Sequence, residues 1–168
     1  MAILFVPISI VGVVLMSRRP ELLRKRLRAK ESDSKQDVVV KLSGLLFVAS
    51  FVLAGLNWRY GWMLLPDWCV WLAAVVFVLC YALYAEVLRE NAYLWRTIEV
   101  REGQRVVDTG LYAIVRHPMY TATTLLFLAM PLVLASPISF SVMLLYLPLI
   151  ILRIRREERL LERELEGY

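Results

Sequence analysis

Histidine occurs once in this chain, cysteine twice and glycine seven times among 168 residues. No metal site is expected. The two thiols, Cys69 and Cys80, cannot pair within one helix: a separation of roughly 16 Å exceeds the reach of a disulfide. They read as small apolar residues. No Gly-rich dinucleotide fingerprint is present, which argues against a nicotinamide-binding fold of the common kind. No internal repeat or low-complexity tract is evident either. Charge is missing from long stretches: residues 1–16, 42–58, 68–86 apart from its last position, 118–134 and 138–152 carry almost none.

Those uncharged runs carry most of the information. Hydrophobic residues make up 60% of the chain, against about 45–50% in a soluble domain. The pattern predicts a single all-α membrane domain over residues 1–168, with about five transmembrane helices and a cytoplasmic C-terminal helix. The first run covers about 24 Å as a helix, a little short of a core of about 30 Å. It has no basic segment ahead of it and no small-residue cleavage site after it, so a membrane helix is preferred to a signal peptide. Pro20-Glu21-Leu22-Leu23 suggests a short interfacial helix, and residues 31–37 a polar loop. Trp58, Tyr60, Trp62 and Trp68 form an interfacial aromatic group. Ala135-Ser136-Pro137 predicts a tight helical hairpin, with Pro131 and Pro148 kinking its arms.

The net charge of +5 does not call for nucleic acid as a partner, because the cations flank the apolar runs. Nine Lys/Arg lie in 17–41, five in 87–116 and five from Arg153 onward; Arg59 alone falls opposite. With five spans, that asymmetry places the N-terminus outside and the C-terminus in the cytoplasm. The oligomeric state is left open.

The stretch 104–120, QRVVDTGLYAIVRHPMY, stands between two apolar regions and holds the one histidine. Asp108-Thr109-Gly110 signals a turn, and Pro118 suits the first position of a helix. Arg116 and His117 then sit at a helix N-terminus, where anions are favoured. In the tail, Ile154, Glu158, Leu161 and Leu165 follow helical spacing, so Glu158 shares an inward stripe with apolar residues. A carboxylate there needs a partner or ligand. Arg116 and His117 could serve, as could a cofactor's ammonium or ribose hydroxyls. Arg153 and Glu157 are neighbours one turn apart on the adjacent stripe.

The run GLYAIVRHPMY, an apolar hairpin and then RIRREERLLERELEGY resemble the isoprenylcysteine carboxyl methyltransferase family and, more loosely, the phospholipid methyltransferases. Bacterial members are also similar at Arg19-Pro20-Glu21-Leu22-Leu23 and at Glu90-Asn91, which implies a bacterial inner membrane. The resemblance implies an S-adenosylmethionine-dependent methyltransferase acting on a lipophilic small molecule or lipid, with residues 87–168 as the cofactor-binding part. By the same resemblance Gln104, Val106, Val107, Tyr112, His117, Pro118, Tyr120 and Glu158 line the cofactor, and Arg153 sits by the acceptor. Gln104 stands where the family often has His, and Ala122 where Gly is common. A carboxylate acceptor needs no strong base, since it is ionised at neutral pH. An amine or phenol needs one, for which His117 and Glu157 are the candidates. Two other readings stay open: an NADPH-dependent membrane reductase, since sterol reductases share Arg-His-Pro-x-Tyr, and a non-catalytic membrane protein.

Overall fold

In the computed structural model the described residues are 6, 9–13, 16–17, 34–90 and 108–165. Their regular structure is helical throughout: α1 (Ser34–Tyr60), α2 (Asp67–Glu90), a 3-10 turn (Gly110–Ala113), α3 (Pro118–Val133), α4 (Pro137–Met143) and α5 (Tyr146–Glu164). Three stretches are long and apolar enough to cross a membrane, Gln36–Tyr60, Asp67–Glu90 and Pro137–Glu164, and Pro118–Val133 is a shorter apolar helix. An all-helical membrane bundle is therefore the fold. Four of the five expected apolar runs are seen as helices. The first, and the interfacial helix at Pro20-Glu21-Leu22-Leu23, lie largely or wholly outside the described residues.

The polar loop expected over 31–37 needs correction at its end. α1 already begins at Ser34, because a helix lets Asp37 meet Lys41 one turn on, at 2.5 Å, while Gln36 turns inward. At its other end Gly61 adopts φ 62°, and its N–H donates to the Asn57 carbonyl at 2.9 Å. This left-handed stop favours glycine. The buried Asn57 amide then fixes the loop, donating to the Met63 carbonyl at 2.7 Å and accepting from the Met63 N–H at 3.1 Å.

The expected hairpin at Ala135-Ser136-Pro137 is present. Ala135 has φ 56°. The Ser136 N–H reaches the Pro131 carbonyl at 2.9 Å and the Ala135 N–H the Leu132 carbonyl at 3.0 Å, the bond pattern of a Schellman stop. Ser136 then caps α4, its hydroxyl accepting from the Ser139 N–H. Leu65 N–H donates to the Ala135 carbonyl at 3.1 Å, so both loops lie at the same end of the bundle. The second hairpin arm is not one uninterrupted helix. Pro148 has no N–H for the Leu144 carbonyl and would crowd it; Leu147 N–H donates to that carbonyl instead, at 3.1 Å, and a turn separates α4 from α5. α5 then runs without a break from the apolar span into the charged tail and stops at Glu164, with Leu165 extended.

Phe77, Cys80, Leu126, Ala129, Met130, Met143, Tyr146 and Ile150 form the core. α2 packs chiefly on α3, and α1 on α4. Phe127 of α3 touches both Phe47 of α1 and Tyr146 of α5, with ring centroids 5.3 Å and 4.9 Å apart. A polar seam joins α1 to α4: Ser139 Oγ donates to the Ser50 carbonyl at 2.8 Å and Ser50 Oγ to the Ser139 carbonyl at 3.4 Å. In an apolar bundle such exchanges fix register, since the hydroxyls have no water to turn to.

Candidate functional site

The end of the bundle opposite the two loops collects the polar side chains. Three chain segments meet there: the end of α2, the stretch leading into α3, and the middle of α5. Glu90, the last residue of α2, accepts from Thr109 Oγ1 and from the Leu111 N–H, each at 3.1 Å. The carboxylate thereby caps the 3-10 turn. Gly110 lies between those donors with φ 52°, and a Cβ there would collide with the Glu90 carboxylate. This is why glycine stands at that position. The turn carries Tyr112, whose hydroxyl oxygen is buried.

His117 is the N-cap of α3 and Pro118 its first residue, as the sequence predicts. Because α3 starts here, His117 and Tyr120 are one turn apart and share a face, with ring centroids 5.7 Å apart. Both face α5. His117 Nε2 lies 3.2 Å from Glu158 Oε1, and the two side chains are 13% and 31% exposed. An ionised carboxylate is acceptor-only, so Nε2 carries the proton of this bond. The stripe reading of Glu158 thus gains a partner.

Beside this pair, the Tyr120 hydroxyl donates to Glu157 Oε2 and accepts from Arg153 Nε at 3.2 Å. Arg153 is 8% exposed. Arg153 and Glu157, read in the sequence as a helix-surface pair, are therefore bridged by a tyrosine from another helix. The arrangement leaves the planar guanidinium held at Nε, while its two terminal nitrogens point along a different edge. Arg156, one turn further on, also buries its Nη1, with no hydrogen-bond partner among the described residues. Sequence reasoning missed Arg156; its spacing of three from Arg153 was the available signal.

Of the predicted site residues, the structure brings together His117, Pro118, Tyr120, Arg153, Glu157 and Glu158. Tyr112 sits on the preceding 3-10 turn. Gln104, Val106 and Val107 lie outside the described residues. Arg116, weighed as a partner for Glu158, is exposed, and His117 takes that place. The capping of the 109–111 turn by Glu90 is not legible in the sequence. Among the described residues no cluster of three His, Cys, Asp or Glu is placed to hold a metal ion. The chemistry available is that of two carboxylates, a buried guanidinium, an imidazole and a phenol at the mouth of an apolar bundle. Such a set can hold a molecule with both charges and an apolar body.

The comparison with curated proteins gave no match, and neither did that with solved structures. A family model, described as phospholipid methyltransferase, matches residues 68–166, from the start of α2 past the end of α5, more than half of the chain and the whole of the polar cluster. By that match the chain belongs to the phospholipid methyltransferase family, whose members are membrane methyltransferases.

Proposed function

We propose that the protein transfers a methyl group from S-adenosylmethionine to a lipophilic acceptor at the cytoplasmic face of the membrane, with the carboxylate of a prenylated or other lipid-like molecule the favoured acceptor. The observation that carries this reading is the paired network where α3 meets α5: His117 on Glu158, and Arg153 on Tyr120 on Glu157.

The donor set fits the cofactor. S-adenosylmethionine carries an ammonium, a carboxylate and a ribose diol. Glu158 offers an acceptor for the ammonium or the diol, and His117 holds that carboxylate in place. Arg156 offers a buried N–H to the carboxylate. When bound, the cofactor supplies a methyl group already activated on a sulfonium, so the protein's task is alignment and exclusion of water. Arg153 suits an anionic acceptor head: it is buried, Tyr120 holds its Nε, and a planar guanidinium matches a carboxylate in a two-pronged geometry. An ionised carboxylate needs no base. For an amine acceptor Glu157, beside Arg153 and Tyr120, is the nearby candidate base. Gln104, Val106, Val107 and Tyr112 complete the cofactor site on this reading, by resemblance to the family pattern.

Isothermal titration of the purified protein with S-adenosylmethionine and with NADPH tests the reading directly. Binding of the first and not the second is expected. NADPH binding alone would turn the assignment to a reductase, and binding of neither to a non-catalytic role. Mass spectrometry of lipids from cells with and without the gene then identifies the methylated product.

The orientation is tested separately. The basic flanks favour a cytoplasmic side for the start of α1, the end of α2 and the charged part of α5, and the bacterial resemblance favours a bacterial inner membrane. In a background with both cysteines replaced by alanine, exposed Arg155→Cys should react with an impermeant thiol reagent only from the cytoplasmic side. Exposed Trp62→Cys should react only from outside. Labelling of both from one side would overturn the arrangement.

A further inference from the structure

α1 lies outside the region matched by the family model, which starts at residue 68. It nevertheless carries one polar side chain that its packing does not explain. Gln36 is 2% exposed, and its amide oxygen has no hydrogen-bond partner among the described residues. A buried carbonyl without a donor destabilises a fold, so such a group asks for a reason.

Gln36 faces the bundle. Gln36, Val39, Ser50, Ala54 and Asn57 are the buried residues of α1, and partly buried Ser43, Leu46 and Phe47 fill the gap between them. Apart from the adjacent pair Leu46 and Phe47 the steps are threes and fours, so all lie on one stripe. The depth of Gln36 follows from the serine seam. Ser50 and Ser139 exchange hydrogen bonds, so they are level. α1 runs toward the two loops, and α4 and α5 run away from them. Gln36 precedes Ser50 by as many residues as Arg153 follows Ser139. At about 1.5 Å of rise per residue both lie roughly 21 Å from the seam. Gln36 therefore stands on the inward stripe at the depth of Arg153.

The side chains of the site do not serve the amide oxygen. The Tyr120 hydroxyl directs its proton to Glu157, and the histidine Nε2 faces Glu158. We propose that Gln36 is a specificity-determining residue of the acceptor site, its amide oxygen taking a hydrogen bond from an N–H or O–H group that the acceptor carries beside the anionic group held at Arg153. The inference rests on the methyl-acceptor reading of Arg153 given above. It adds a requirement that Arg153 alone does not impose: a donor adjacent to the anion. A site that hydrogen-bonds a substrate N–H rejects the analogue lacking it, because the buried polar group is then left unpaired.

Two probes differ in that donor alone. N-palmitoylglycine presents a carboxylate with a neighbouring amide N–H, and palmitoyloxyacetate has an ester oxygen in its place. Binding to the purified full chain in an uncharged detergent needs no turnover. The wild-type protein should bind the amide about 10-fold more tightly than the ester. Gln36→Met keeps the length and removes the amide. It should bring the ratio to about one, mainly by weakening the amide probe, with S-adenosylmethionine affinity unchanged and a melting temperature at or above wild type. Equal binding of the two probes by the wild type, binding of neither, or a ratio that survives Gln36→Met overturns the proposal. A loss of S-adenosylmethionine affinity in Gln36→Met overturns it too, since Gln36 then serves the cofactor. Failure of the methyltransferase reading shows itself elsewhere, as a wild-type protein that binds no S-adenosylmethionine.

Discussion

Arg153→Lys should lower methyl transfer by about 100-fold while leaving S-adenosylmethionine affinity within about twofold of wild type. The expectation follows from what each cation can do in this position. Arg153 is 8% exposed and its Nε donates to the Tyr120 hydroxyl, which fixes the plane of its guanidinium. Lysine keeps the charge but has one nitrogen on a flexible stem, and it cannot both hold Tyr120 and grip a carboxylate in a fixed plane. A misplacement of the acceptor by about 1 Å is enough for a loss of that size. Retained charge should keep the melting temperature close to wild type.

The competing account makes Arg153 a helix-surface partner of Glu157, worth about 0.3–0.5 kcal/mol if exposed. On that account lysine substitutes almost fully. Turnover above about half of wild type in Arg153→Lys would end the acceptor assignment. Tyr120→Phe is the companion variant: it removes the bridge and keeps the ring. It should lower turnover as well, and it should also lower stability by about 1–3 kcal/mol, because Arg153 and Glu157 lose a buried partner together.

These two residues also mark how far the sequence could be read. The position of His117 at the start of α3 was legible, because Pro118 announces a helix start from local rules alone. The inward turn of Glu158 was legible from the spacing of Ile154, Leu161 and Leu165. The apolar runs predicted the spans, since chain length and bilayer thickness leave little choice. The Tyr120 bridge was not legible. It depends on how α3 is rotated and shifted against α5, which is set by Phe127, Tyr146 and the core beneath them. No local rule carries that register. The same holds for Gln36, whose level becomes visible only through the serine seam.

Two readings of the chain missed for local reasons instead. The start of α1 was hidden because a charged run resembles a loop until Asp37 and Lys41 are seen as one helical turn. The interruption between α4 and α5 was expected only as a kink. The structure gives a full turn, because the Leu144 carbonyl finds a new donor in Leu147 when Pro148 offers none.

His117→Ala and Glu158→Gln should each weaken S-adenosylmethionine binding by about 10- to 100-fold, the range expected for a hydrogen bond involving a charged group. Glu158 Oε1 faces His117 at 3.2 Å, and a carboxylate accepts on both oxygens, so Oε2 can take a cofactor donor while Oε1 stays anchored. His117 then acts on the cofactor partly through Glu158. This coupling makes a distinct forecast for the double variant. If the two residues work as a unit, the double should be little worse than the worse single, because each change removes the same arrangement. If each touched the cofactor independently, their losses would multiply. A purely structural pair gives a third pattern: melting temperature falls in both singles while affinity for the folded protein stays at the wild-type value. Calorimetry of the four proteins with S-adenosylmethionine, run beside their melting curves, separates the three. Unchanged affinity in both singles would remove His117 and Glu158 from the cofactor site, whatever the match to the family.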